Sequence, residues 1–251
     1  MTTAILSALA QEQSGLLAAL QQPVRTQHAG RSFSSGVLHG QPVVLALSGI
    51  GKVAAATTAT ALLERVGATR IVFTGVAGGV GDGVNVGDVV VARSYVQHDM
   101  DASPLFARWL VPGYADICLP CDSELSALLS GAASAYLASV SGLFDINSGT
   151  TAPRLHHGLM ASGDRFINCP EVSNALRTPL LDAGHDVLAV EMEGAAVAQV
   201  CVDYGVAFAA MRTISDRADA TAHVDFAQFI DTVASRYADH IVRNLLQSLP
   251  H

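Results

Sequence analysis

A chain of 251 residues is long enough for one large α/β domain with a buried core, and its net charge of −8 without a basic run argues against a nucleic-acid partner. Hydrophobic residues make up 50% and charged residues only 14%, against roughly 25% charged in an ordinary soluble domain. So lean a surface predicts a homo-oligomer with an apolar interface, while no apolar run approaches the roughly 18–20 residues of a membrane span.

The first ten residues lack a basic start, so the apolar run near 3–9 reads as a strand and not as a leader. Helical periodicity follows near 11–21, and Glu12 lies where strand passes into helix. A glutamate there is also favoured by the helix dipole alone. Residues 32–47 read as a hairpin turning at His39-Gly40-Gln41, which makes the sheet mixed. Further strands are expected near 42–48, 70–75, 87–97, 139–147, 157–162, 187–191 and 206–214, and helices near 52–66, 122–137, 194–204 and 226–248. This alternation predicts an α/β sandwich with a largely parallel or mixed sheet, and no linker or repeat divides residues 1–251.

The strand ends carry the chemistry. Ser48-Gly49-Ile50-Gly51-Lys52-Val53-Ala54 has dinucleotide-fingerprint spacing, but the next strand ends at Thr74-Gly75 without the acid that would hold a ribose. What remains is a tight turn at an anion-friendly helix N-terminus, or plain turn geometry. The small residues of Thr74-Gly75-Val76-Ala77-Gly78-Gly79 allow a flat ligand to approach the backbone. Residues 98–121 form a long irregular segment of the kind used as binding loops or interface arms. Within it His98-Asp99-Met100-Asp101 has metal-like spacing without an evident fourth ligand, so a hydrogen-bonded loop is the better reading. Cys118-Leu119-Pro120-Cys121 precedes Asp122, a plausible helix cap, and does not sit where a redox pair would; Cys169 and Cys201 complete no zinc spacing. His156-His157 reads as a solvated turn.

In Ser162-Gly163-Asp164-Arg165-Phe166-Ile167-Asn168, Phe166 could stack on an aromatic ligand while the main chain at Ile167 reads its edge; core packing explains Phe166 as well. Val190-Glu191-Met192-Glu193 and Arg212-Thr213-Ile214-Ser215-Asp216 each end an apolar run in acid. Carboxylates are rarely left in such surroundings unless something satisfies them, and two acidic strand ends are how an open α/β sheet builds a site at its carboxyl edge.

Taken in order, Gly49-Ile50-Gly51-Lys52, Thr74-Gly75-x-Ala77-Gly78-Gly79, Val86-Gly87-Asp88, Ser162-Gly163-Asp164-x-Phe166-Ile167-Asn168, Val190-Glu191-Met192-Glu193 and Arg212-x-Ile214-Ser215-Asp216-x-Ala218-Asp219 resemble the 5′-methylthioadenosine/S-adenosylhomocysteine nucleosidases of the purine nucleoside phosphorylase superfamily. The resemblance runs through nearly the whole chain. It implies a three-layer αβα sandwich around a central mixed, twisted sheet, and a cytoplasmic homodimer. It implies hydrolysis of a 5′-thio-substituted adenosine to adenine and the thioribose, with no cofactor and no metal. Asp216 then matches the residue that helps protonate purine N7, and Glu12 the base that activates water. Glu193 matches the residue holding the ribose hydroxyls and Met192 the one beneath the sugar. Phe166, Ile167, Ala77 and Gly78 match the adenine end, and Phe226 a stacking aromatic. Arg212 would steady the water or Glu12, and Glu191 would act behind it, paired with Arg212. The loop 98–112, with Leu105, Phe106 and Pro112, would reach the neighbouring subunit's 5′ pocket.

Val76 stands where some relatives have a serine that supports the catalytic aspartate, so Asp216 must be held otherwise, by Ser215 or backbone. Leu9 replaces a common methionine, a volume-conserving change. A 5′-deoxyadenosine or futalosine-type preference stays open. A phosphorylase would need arginines to clamp phosphate, and none stands near the first glycine turn or before Gly75. A non-catalytic nucleoside-binding protein should have lost Glu12 or Asp216; both are present.

Overall fold

A computed structural model describes residues 1–140, 152–220, 222–230 and 234–250. Its sheet is built on strands that read as unbroken apolar runs because both of their faces are covered. They are β1 (Thr3–Ser7), β4 (Gln41–Leu47), β5 (Arg70–Gly79), β9 (Val187–Glu191) and β10 (Ala207–Asp216). β2 (Gln21–His28), β3 (Arg31–Leu38), β6 (Val89–Gln97), β7 (Leu119–Pro120) and β8 (Leu155–Ser162) complete it. The order is β10-β6-β8-β9-β5-β1-β4-β3-β2, with β7 on β6. β10 also pairs with β5, so β5, β9, β8, β6 and β10 close into a ring from which β1, β4, β3 and β2 extend. Parallel pairs (β1–β4, β1–β5, β5–β10, β6–β8, β8–β9) and antiparallel ones (β2–β3, β3–β4, β5–β9, β6–β10) make the sheet mixed.

Helices cover both faces. α2 (Lys52–Glu64) and α5 (Gly194–Tyr204) pack Ala55, Ala59, Leu62, Ala195 and Val197 on one side. α1 (Ala10–Ala19), α3 (Ser123–Val140) and α7 (Ser235–Ser248) pack Leu16, Leu129, Ile241 and Leu245 on the other. α4 (Pro170–Asp182) sets Leu176 and Leu180 beside Leu159 and Val187 of β8 and β9. α6 (Ala222–Phe229) precedes α7. Among the described residues no helix is long and apolar enough to cross a membrane.

Several sequence expectations change. Polar residues 21–28 form β2, exposed along its whole length; it is an edge strand, where Pro23 and Arg25 are tolerated. α4 is an additional helix whose signature is broken by Pro179 inside it, although Pro170 marks its first turn. The strand expected near 139–147 starts inside α3, which runs to Val140, and its remainder lies outside the described residues. Within the helix expected over 226–248 the described residues show α6 to Phe229 and α7 from Ser235, with 231–233 outside the described residues. His156 and His157 are not in a turn: both lie on β8, and His156 Nε2 lies 2.8 Å from the buried Asp88 carboxylate. Asp122 does cap α3, its Oδ1 accepting from Leu125 N at 2.8 Å.

Candidate active site

Glu12 lies in the first turn of α1, immediately beyond β1. Its Oε2 accepts from Ala8 N and Leu9 N, each at 2.8 Å, and its Oε1 from Val76 N at 3.2 Å. A Cβ at residue 75 would stand 2.9 Å from Oε1, so a larger residue there would push the carboxylate away from these amides. Burial pushes the Glu12 pKa up, against the pull of these amides and of the Arg212 charge. A buried carboxylate of raised pKa, still aimed by main-chain donors, has the properties of a general base.

Asp216 ends β10 past a register shift between Ile214 and Asp216, the kind of bulge that re-aims a side chain beside a site. Ser215 Oγ donates to its Oδ2 at 2.7 Å and Ala218 N to its Oδ1 at 2.8 Å. Val76 offers it no hydroxyl, so this hydroxyl and this amide provide support instead. Gly78 is pressed against the same carboxylate, since a Cβ there would lie 2.9 Å from Oδ1.

Between these two lies a charged cluster. Arg212, 1% exposed, donates from Nη2 to Glu191 Oε2 at 2.7 Å. Its Nη1 reaches the carbonyls of Phe73 and Met211, and its guanidinium lies 4.0 Å from the Phe73 ring centroid. Arg212 thus acts on Glu12 by its charge, while its hydrogen bonds go to Glu191 and to two carbonyls. Glu191 also accepts from Glu193 N at 3.2 Å, from Gly194 N at 2.8 Å and from Ser162 Oγ, at the positive end of α5. Glu193 Oε1 accepts from Gly51 N at 2.9 Å. Burial, reinforced by the Glu191 charge, pushes the Glu193 pKa up to about 8.

The glycine turn before α2 therefore meets two carboxyl groups of the protein itself. Gly51 N serves Glu193, and Lys52 N donates to Asp164 Oδ1 at 2.8 Å. Those two amides are therefore not free for a pyrophosphate. Gly51 adopts φ of 96°, a conformation that requires glycine.

Glu12, Glu191, Glu193, Arg212, Ser215 and Asp216 line a cavity of about 420 Å³. Met192, Phe166, Ile167, Ala77, Gly78 and Phe226 also line it, and Phe166 meets Phe226 edge-on at 5.9 Å between centroids. Leu9, Val76 and Phe226 pack on Phe229 and Ile230 to form an apolar wall beside Glu12. Phe106 is outside this cavity and 44% exposed. Asp99 and Asp101 are used in loop hydrogen bonds to Asp164 N and Ser103 N. Among the described residues no group of His, Cys, Asp and Glu is arranged to hold a metal.

Ser162, Phe73 and Tyr95 also surround the charged cluster, with little in the sequence to single them out. Ser162 both donates to Glu191 and accepts from Ala195 N, and it stood inside a quoted motif. Tyr95 is fully buried against Gly194, where a Cβ would lie 2.3 Å from its ring; nothing in the local pattern of β6 marks it.

The family model of the phosphorylase superfamily matches residues 2–247. A 5′-methylthioadenosine/S-adenosylhomocysteine nucleosidase of Mycobacterium bovis is 35% identical over 262 aligned positions, covering 100% of this chain and 97% of its own. The chain belongs to this nucleosidase family. The Anoxybacillus flavithermus nucleosidase is likewise 35% identical, over 99% of both chains. The nucleosidase fold is shared with the Neisseria meningitidis enzyme, solved in complex with methylthio-immucillin-A, at a TM-score of 0.86 and 32% identity over 99% of both chains. A futalosine hydrolase of Helicobacter pylori has the same fold, with a TM-score of 0.84 and 29% identity over 99% of this chain and 98% of that one.

Proposed function

We propose that this nucleosidase hydrolyses the N-glycosidic bond of 5′-methylthioadenosine and S-adenosylhomocysteine, releasing adenine and the 5-substituted ribose. The observation that carries this reading is the pair of buried carboxylates, Glu12 and Asp216, held on one cavity by different sets of donors. Asp216 serves purine N7: a proton delivered there lets the ring accept the electron pair of the breaking C–N bond. The sugar becomes oxocarbenium-like, and ionised Glu12 stabilises the charge that develops. Glu12 takes a proton from water as the water oxygen bonds to the anomeric carbon. Glu193 accepts from the ribose hydroxyls, Met192 packs beneath the sugar, and Phe166 with the Ile167 main chain holds adenine.

Water is the nucleophile for an electrostatic reason. The amides of Ala8, Leu9 and Val76, which could otherwise receive an anion, are occupied by Glu12. Phosphate at that end would meet a carboxylate in a low-dielectric site. The whole chain 1–251 acts as one domain. A homodimer in the cytoplasm completes the reading, supported by the lean surface charge, the free cysteines and the exposed Leu105 and Phe106 on loop 98–112. That loop would close the neighbour's 5′ pocket, and the activity would salvage methylthioadenosine.

The deciding experiment measures base release from methylthioadenosine, adenosylhomocysteine, adenosine, inosine and futalosine, each with and without phosphate. Adenine release from the thio-nucleosides that is indifferent to phosphate is expected. Phosphate-dependent release would replace hydrolysis by phosphorolysis, and no release from any substrate would leave a binding protein.

A further inference from the structure

We propose that Lys52 is a positioning residue of the reaction, an ionic latch that sets the Phe166–Ile167 loop and the Gly51–Glu193 contact in one geometry. Its kinetic consequences rest on the nucleosidase reading, whereas the latch itself is read from side-chain contacts. Lys52 Nζ pairs with Asp99 Oδ1 and lies 3.8 Å from Asp164 Oδ2. Asp99 Oδ2 in turn accepts from Asp164 N at 2.9 Å, and Asp164 Oδ1 accepts from Lys52 N at 2.8 Å. Lysine and the two aspartates therefore form a closed circuit. It joins the loop after β4, the loop after β6 and the loop after β8.

Each joint bears on the cavity. Asp164 is two residues from Phe166, on the segment that brings Phe166 and Ile167 to the cavity wall. Gly51, next to Lys52, donates to Glu193, so the register of the α2 N-terminus sets where that carboxylate sits. His98, beside Asp99, packs so closely on Gly163 that a Cβ there would lie 2.2 Å from Nε2, and His98 N donates to Ser162 O at 3.0 Å. The loops after β6 and β8 are thus keyed together behind the latch. The ion pair is partly solvated, with the lysine side chain 16% and the Asp99 side chain 33% exposed, so it contributes little to stability. Its effect is geometric: it ties the loop after β4 to the paired loops after β6 and β8.

Glu12, Asp216, Ser215 and Arg212 lie outside the circuit. Breaking the latch should therefore weaken binding of the nucleoside and leave the chemical step nearly intact. The test compares Lys52→Met, which keeps the aliphatic stem, Lys52→Arg, which can still bridge both aspartates, and Asp99→Asn. Steady-state kinetics with methylthioadenosine are measured alongside calorimetric titration with adenine. The expected result for Lys52→Met and Asp99→Asn is a rise in KM and in the adenine Kd of about tenfold, with kcat within about twofold and an unchanged melting temperature. Lys52→Arg should recover most of the loss. The proposal is overturned if KM and adenine affinity stay at wild-type values in both variants, if kcat falls while KM holds, or if Lys52→Arg is as impaired as Lys52→Met. Absence of turnover in the wild-type protein would overturn the hydrolase reading, and the adenine titration would still decide the latch.

Discussion

Arg212 and Glu191 form a buried ion pair, Nη2 to Oε2 at 2.7 Å, with side chains 1% and 2% exposed. The pair joins the end of β9 to the middle of β10, and each partner has further work: Arg212 covers Phe73, while Glu191 holds the first amides of α5. A buried pair of this kind is not strong evidence of net stabilisation, but removing one partner strands the other charge.

Glu191→Gln should therefore cost about 3–5 kcal/mol of folding stability, the range for breaking a buried pair. Arg212 would be left without its counter-charge and Gly194 N with a poorer acceptor. Denaturant titration of the variant against wild type measures this. A midpoint unchanged from wild type would mean that water or another carboxylate takes over the arginine.

Glu12→Gln should lower kcat by about 10²–10⁴-fold, the usual worth of a general base, while nucleoside affinity stays near that of the wild type. The amide oxygen of glutamine can still accept from Ala8 N and Leu9 N, so the start of α1 is retained. Rapid-quench assays with a binding titration separate the two effects. Normal turnover in this variant would falsify the assignment of Glu12.

Ser215→Ala should reduce kcat by about ten- to a hundredfold, the equivalent of one hydrogen bond to a charged group. Ala218 N would still donate to Asp216, so the loss should be smaller than for Asp216→Asn. A substrate whose base departs without N7 protonation should be less sensitive to both changes. Equal sensitivity across leaving groups would place Ser215 outside the proton path.

Protonation of the carboxylate cluster gives stability a definite pH slope. Glu193 rises from an ordinary value of 4.5 to about 8 on folding, and Glu12 rises too. Between those values the folded state binds more protons than the unfolded one, so stability falls as pH rises. The contribution is complete below about 4.5 and gone above about 8. Thermal melts of the ligand-free protein from pH 5 to pH 9 should show this decline, and Glu193→Gln should flatten it. A slope that survives the substitution in full would shift the cause to Glu12.

The legible parts of the chain are those whose cause is local. β1, β5, β9 and β10 stand out because double-sided burial demands continuous apolar residues, and Glu191, Glu193 and Asp216 stand out as charges that end such runs. β2 was hidden because an exposed edge strand needs no apolar pattern, and α4 because Pro179 breaks the helical signature. The ring formed when β10 pairs with both β5 and β6 has no local signal at all, since it depends on the twist and length of strands far apart in the chain.

The sequence by itself determined that acidic strand ends share one sheet edge and that glycines flank them, because side-chain identity and burial period are written residue by residue. Only the tertiary structure decided which distant main-chain amides the carboxylates take. Glu193 turns to an amide 142 positions away at Gly51 and Glu12 to Val76 across 64, whereas the pairing of Asp216 with Ser215 and of Glu191 with Arg212 was already legible. Main-chain amides are the same at every residue, so their choice of acceptor is set by how the loops pack and not by the letters that compose them.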